Sequence, residues 1–201
     1  MLRVICLGLL GGVLWPTLAA AQETTFAPTL SIAADADAPG RQAPALSPGT
    51  WTVQTYGSAT LGNDEGRLYL SHVGGGYFVL DGLSVNLEGV FGAVDSERNG
   101  DPYAVGFDLL LRWHFLKTQS WSVFADGGAG MLWIEDRFPT SGTRQNFTPQ
   151  VGLGVTLHLA DQLNLIAGVR WHHISNASKR GEDRNPGFDG ALVYGGLVIA
   201  F

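Results

Sequence analysis

The stretch Leu163–Ser175, LNLIAGVRWHHIS, decides how the rest of the chain is read. Leu163, Leu165, Ala167, Val169 and Trp171 alternate with Asn164, Ile166, Gly168, Arg170 and His172. A period of two belongs to an extended strand whose two faces meet different media. At about 13 residues such a strand is long for a soluble sandwich. It is ample for a tilted strand crossing a bilayer, which needs roughly 9–11 residues. The last segment repeats the pattern: Ala191, Val193, Leu197, Ile199 and Phe201 share one face, with Gly195 among them.

Alternation of this kind begins at Gly49 and predicts eight strands, at 50–61, 66–80, 83–94, 103–116, 119–135, 146–159, 162–175 and 189–201. The connections sort by side. Asp81-Gly82, Lys117-Thr118 and Ala160-Asp161-Gln162 are short turns, whereas 95–102, 135–146 and 176–188 are long and polar. The connection at Asn63-Asp64-Glu65 is short but falls on the long-loop side. Short turns on one side and longer loops on the other are the asymmetry of an outer-membrane barrel. The expected fold is therefore all-β, an eight-stranded antiparallel transmembrane β-barrel of the bacterial outer membrane over residues 50–201. With both termini in the periplasm, the long loops face outside the cell. Phe201, on the apolar face of the last strand, resembles the terminal signal read by the outer-membrane assembly machinery; an aromatic interface anchor is the simpler reading.

The rest of the chain fits that compartment. Arg3, the apolar run Val4–Leu14 and Ala19-Ala20-Ala21 make the three parts of a secretory signal peptide, residues 1–21. Residues 22–49, with Pro28, Pro39, Pro44 and Pro48, read as a flexible lead-in. The sole cysteine, Cys6, lies within the signal segment, so the mature chain offers no disulfide and no thiolate metal site. A net charge of −6 argues against nucleic acid as a partner. Glycine at 28 residues and only 15 % charged residues suit a lipid-facing barrel, although a soluble sandwich has a similar composition. A pore is the least favoured reading, because side chains largely fill an eight-stranded interior.

Strand parity then points to a site. Alternate residues share a face, so His173 and Ser175 follow Val169 and Trp171 outward at the extracellular rim. Asp189 has the outward parity of the last strand and lies where the two strands meet, provided no bulge intervenes. A histidine could take the serine proton and a carboxylate could orient the histidine. An ester attacked there would be a lipid, its oxyanion received by the 176–185 loop and the Asn185 amide. Lys179, Arg180 and Arg184 could hold its phosphates. Each of these features also has a plain reading, as interface residues and a solvated loop.

His173-Ile174-Ser175-Asn176-Ala177 followed by Asn185-Pro186-Gly187-Phe188-Asp189 resembles the C-terminal signature of PagL-type lipid A 3-O-deacylases. Those are eight-stranded outer-membrane barrels that remove an ester-linked acyl chain from lipid A. The resemblance implies His173 as base, Ser175 as nucleophile and Asp189 as orienting acid, with Asn185 and the backbone amide of Ser178 serving the oxyanion. This sequence departs from the family in its acid, typically glutamate, and in a slightly longer loop before it.

The expected function is that of a serine esterase acting on lipid A of lipopolysaccharide in the outer leaflet, without metal or organic cofactor. The alternative is a non-enzymatic barrel of structural or adhesion type keeping the motif as a relic. A homodimer is left open. His72, His114 and His158 show no ligand spacing and read as ordinary barrel residues. Glu182 and Asp183 are further carboxylates in the loop, and Gly74-Gly75-Gly76 marks a bulge or kink.

Overall fold

The computed structural model describes residues 46–61, 66–95, 101–139, 141–179, 181 and 185–201. The expected signal segment, most of the expected lead-in, and Arg180, Glu182, Asp183 and Arg184 lie outside the described residues. Every element within them is a strand: β1 (Trp51–Leu61), β2 (Arg67–Leu80), β3 (Leu83–Asp95), β4 (Tyr103–Lys117), β5 (Trp121–Phe138), β6 (Thr143–Phe147), β7 (Gln150–Ala160), β8 (Leu163–Ile174) and β9 (Phe188–Ala200). Each pairs antiparallel with its neighbours. The β1–β9 and β4–β5 pairings close the sheet into a barrel.

The ring has eight staves, because β6 and β7 share one position beside β5. Here the structure corrects the expected sixth strand at 146–159, which is interrupted at Thr148-Pro149. Proline has no N–H to give to a ladder. The Pro149 carbonyl still accepts from the His173 N–H at 3.0 Å, and Thr148 exchanges hydrogen bonds with Gly130. The polar segment 135–146 is likewise not a loop. β5 runs on to Phe138 and β6 returns from Thr143, so the two form a hairpin rising beyond the barrel wall.

Along the barrel staves, residues alternate between wall and interior. Outward side chains include Val53, Val73, Leu87, Leu109, Val151 and Val193, all well exposed. A surface this apolar is unfavourable in water and suited to lipid. Aromatics girdle it at both rims. Trp51, Tyr77, Trp113, Phe115 and Trp121 stand near the short turns, and Tyr69, Phe91, Tyr103, Trp133 and Trp171 near the opposite end. Such belts sit where acyl chains give way to headgroups. Register shifts precede the short turns at Phe78/Leu80, His114/Leu116 and His158/Ala160.

The interior is a polar network built on two arginines. The Arg170 guanidinium, fully buried, forks onto Asp126 at 3.1 and 2.8 Å and donates to the Tyr56 hydroxyl at 2.9 Å. Arg112 pairs with Asp126 at 3.3 Å and donates to Gln54 at 2.9 Å. Glu88 accepts from Gln54 at 2.7 Å and from Tyr56, with Arg112 and Arg170 at 3.8 and 3.7 Å. These side chains fill the barrel. A cavity among Thr52, Asn86, Arg112 and Asn164 measures about 30 Å³, space for a water or two. Removing one member of a buried ion network strands its partners without compensation, at about 3–5 kcal/mol. Arg170→Leu is therefore expected to destabilise the refolded barrel by that amount in denaturant titrations, and Arg170→Leu with Asp126→Leu by less.

Candidate active site

β8 and β9 run in continuous register from Leu163↔Ile199 to Ile174↔Phe188, with no bulge between them. His173 therefore lies directly opposite Asp189. Because the His173 N–H points to Pro149 on the β7 side, the His173–Asp189 pair is of the non-hydrogen-bonded kind toward β9. Side chains of such pairs approach most closely, with Cα atoms about 4.5 Å apart. The result is a hydrogen bond of 2.9 Å between His173 Nδ1 and Asp189 Oδ1. The imidazole is a quarter exposed and the carboxylate more than half, on the outer wall.

Two further contacts hold the ring. Trp171, one outward position below, stacks on it with centroids 5.6 Å apart and planes 21° from parallel. Just before β9, Gly187 leaves no room for a side chain: a Cβ there would fall 2.9 Å from His173 Cε1. Gly187→Ala must displace the imidazole, and for His173 in the role of base expected from the sequence a misplacement of about 1 Å costs about 10²-fold. The expected outcome is a fall of that order in kcat with unchanged barrel stability, measured on the refolded protein.

Ser175 follows on the outward parity, one bridge beyond the end of β8. Its backbone is tied to Phe147 of β6 by two hydrogen bonds, Phe147 N to Ser175 O at 2.7 Å and Ser175 N to Phe147 O at 3.1 Å. The break at Pro149 is what lets β6 take over this edge. Ser175 is 9 % exposed, more sheltered than a rim residue of the lipid face, and among the described residues its hydroxyl makes no hydrogen bond to His173. The structure thus joins the histidine to the acid and places the serine two residues on, just past the end of β8, without the third contact.

The loop after Ser175 turns sharply. Ala177 and Ser178 have φ of 53° and 55°, and Lys179 N donates to Asn176 O at 3.3 Å. Asn185 closes the loop across its neck. Its Oδ1 accepts from Asn176 N at 2.8 Å and its Nδ2 donates to Ser178 Oγ at 3.2 Å. The Lys179 ammonium sits 4.5 Å from the Phe147 ring centroid. The expected oxyanion residues are therefore neighbours, and Lys179 lies beside the residue that bridges to Ser175. Sequence reading missed Trp171, Gly187 and Phe147. The only signals for them were the shared parity of Trp171 and His173 and the glycine within Asn185–Asp189.

A second titratable cluster lies inside the barrel. His72, Glu88 and Asp108 offer ligand atoms within 4.8 Å of one another. Sequence spacing gave no hint of this, because three different strands bring them together. Glu88 is already engaged by Gln54, Tyr56 and both arginines, so the cluster reads as part of the interior network.

Residues 51–197 match the family model described as lipid A 3-O-deacylase (PagL). The chain belongs to that family. The fold likeness agrees. The outer membrane enzyme PagL superposes with a TM-score of 0.53 at 18% identity, covering 75% of this chain and 98% of that one. The N-terminal β-barrel domain of Pseudomonas aeruginosa OprF gives 0.53 at 14% identity, over 77% and 98%. Neisserial surface protein A gives 0.53 at 13%, over 76% and 97%. No curated protein matches by sequence. The protein is thus an outer-membrane-type β-barrel and a member of a hydrolase family of the outer membrane. The close cross-strand pair brings the Asp189 carboxylate within reach of the imidazole.

Proposed function

We propose that the protein is an outer-membrane serine esterase that removes the acyl chain at the 3-position of lipid A, with Ser175, His173 and Asp189 as its triad. The observation that carries this reading is the His173–Asp189 hydrogen bond on the outer wall, one outward position above Trp171 of the aromatic belt. Lipid esters lie at that depth, between acyl chains and headgroup sugars.

Asp189 accepts the Nδ1 proton of His173, which leaves the Nε2 lone pair for the hydroxyl of Ser175. Substrate brings Ser175 Oγ to Nε2, a contact that commonly tightens only when substrate binds. Oγ attacks the ester carbonyl, and the oxyanion meets the Ser178 N–H and the Asn185 amide. The Asn185 oxygen is occupied by the Asn176 N–H and one amide hydrogen is given to Ser178 Oγ, which leaves its second amide hydrogen for the oxyanion. His173 then passes the proton to the leaving sugar oxygen. Water, deprotonated by the same imidazole, releases the fatty acid from Ser175. Lipopolysaccharide of the outer leaflet is the partner, and Phe201, 63% exposed, is the residue offered to the assembly machinery.

The test is mass spectrometry of lipid A incubated with the refolded barrel in detergent. Loss of one acyl chain, placed at the 3-position by fragmentation, is the expected result. Intact lipid A beside a folded barrel would replace this reading with that of a non-enzymatic barrel.

A further inference from the structure

Beside the triad lies a cavity of about 370 Å³ lined by Arg137, Thr143, Arg144, Gln145, Asn176 and Lys179. Its walls are the end of the β5–β6 hairpin and the first turn after β8. Three cations, two amides and a hydroxyl line it, and among the described residues no carboxylate does. Among the described residues the one acid paired with a lining cation is Asp136, 3.8 Å from Arg144, with both groups largely exposed. An exposed pair at that distance is weak and leaves Arg144 available. Arg137 has no ion pair among the described residues. Lys179 is held at the Phe147 ring, and Phe147 is the residue bridged to Ser175. Asn176 lines the cavity and follows Ser175 in the chain.

We infer that this cavity is a phosphate subsite, which takes a phosphate monoester of the lipid headgroup while the ester lies at Ser175. Guanidinium groups meet phosphate oxygens as two-pronged donors, and the ammonium adds a point charge. The volume is within the range of ligand pockets. Filling it fixes the headgroup relative to Ser175 and so selects which ester is presented. The inference rests on the esterase reading for the identity of the lipid, although the anion site itself does not depend on turnover.

Binding rather than catalysis is therefore the test. The Ser175→Ala barrel is titrated in detergent micelles with lipid A and with the same lipid stripped of its phosphates. A charge-depleted form carrying Arg137→Gln, Arg144→Gln and Lys179→Gln is titrated alongside, and heat-modifiable gel mobility checks that it is folded. The expected result is at least about 10-fold tighter binding of the phosphorylated lipid, worth about 1.4 kcal/mol, lost in the depleted form. Arg137→Gln alone, a single exposed change, should lower the preference several-fold. Equal binding of both lipids, or a preference that survives charge removal, overturns the proposal. Inorganic phosphate should displace the lipid only weakly. If it binds as tightly as the lipid, free phosphate is the occupant and the headgroup assignment fails. A wild type that binds with this preference yet releases no fatty acid would sink the esterase reading and leave the subsite standing.

Discussion

Ser175→Ala is expected to lower acyl release from lipid A by about 10⁶-fold, the scale on which a triad loses its nucleophile. No covalent intermediate can form without Oγ, and what remains is water attack aided by the oxyanion donors. Alanine removes one atom from a residue whose backbone is fixed by both hydrogen bonds to Phe147, so the strand end stays as it is. Saturation kinetics on micellar lipid A should therefore show the loss in kcat with KM little changed. A variant retaining a tenth of wild-type kcat would assign the nucleophile elsewhere.

Asp189→Asn carries the next largest effect, about 10⁴-fold in kcat. The carboxylate can only accept from Nδ1, which keeps the hydrogen there and leaves Nε2 free. An asparagine amide can donate to Nδ1 instead and so favours the tautomer with Nε2 protonated, unable to take the serine proton. The strand register holds the position of residue 189 opposite His173 whatever the side chain, so geometry is retained while chemistry is lost. Asp189→Glu is the companion variant. It keeps an acceptor on the same strand position and is expected within about 10-fold of wild type, since the close pair leaves a longer side chain room only to rotate. Equal activity of Asp189→Asn and wild type, read from initial rates, would remove the acid from the mechanism.

How much of this was legible beforehand follows from where each residue meets two media. The alternation in β8 and β9 is imposed by lipid on one face and the packed interior on the other. It could be followed residue by residue to His173 and Asp189, and it held because no bulge falls between these strands. Above the membrane that contrast disappears. Phe138 and Asn146 are buried there, but Glu135, Asp136, Arg137, Thr143, Arg144 and Gln145 around them are polar, so these segments show no apolar period and read as a loop. The β5–β6 hairpin, and the Arg137 and Arg144 side chains it brings to the cavity, were hidden for that reason. Pro149 was visible in the sequence, but the apolar residues around it masked the break it makes. The contacts of Trp171 and Gly187 with the imidazole depend on side-chain direction and cross-strand distance, which no pattern of residue types specifies. The arginine network was half legible. Parity placed Arg170 inside, while its partners Asp126, Glu88 and Tyr56 come from three other strands.

The central claim is that Ser175 is an activated nucleophile on the outer wall of this barrel. Labelling with a lipophilic fluorophosphonate, followed by peptide mass spectrometry, tests it most directly. The adduct is predicted on Ser175 in the wild type and should vanish in His173→Ala, whose serine has no base. Lipid A deacylated by a barrel that carries no label on Ser175, or a label of equal yield in His173→Ala, would contradict it.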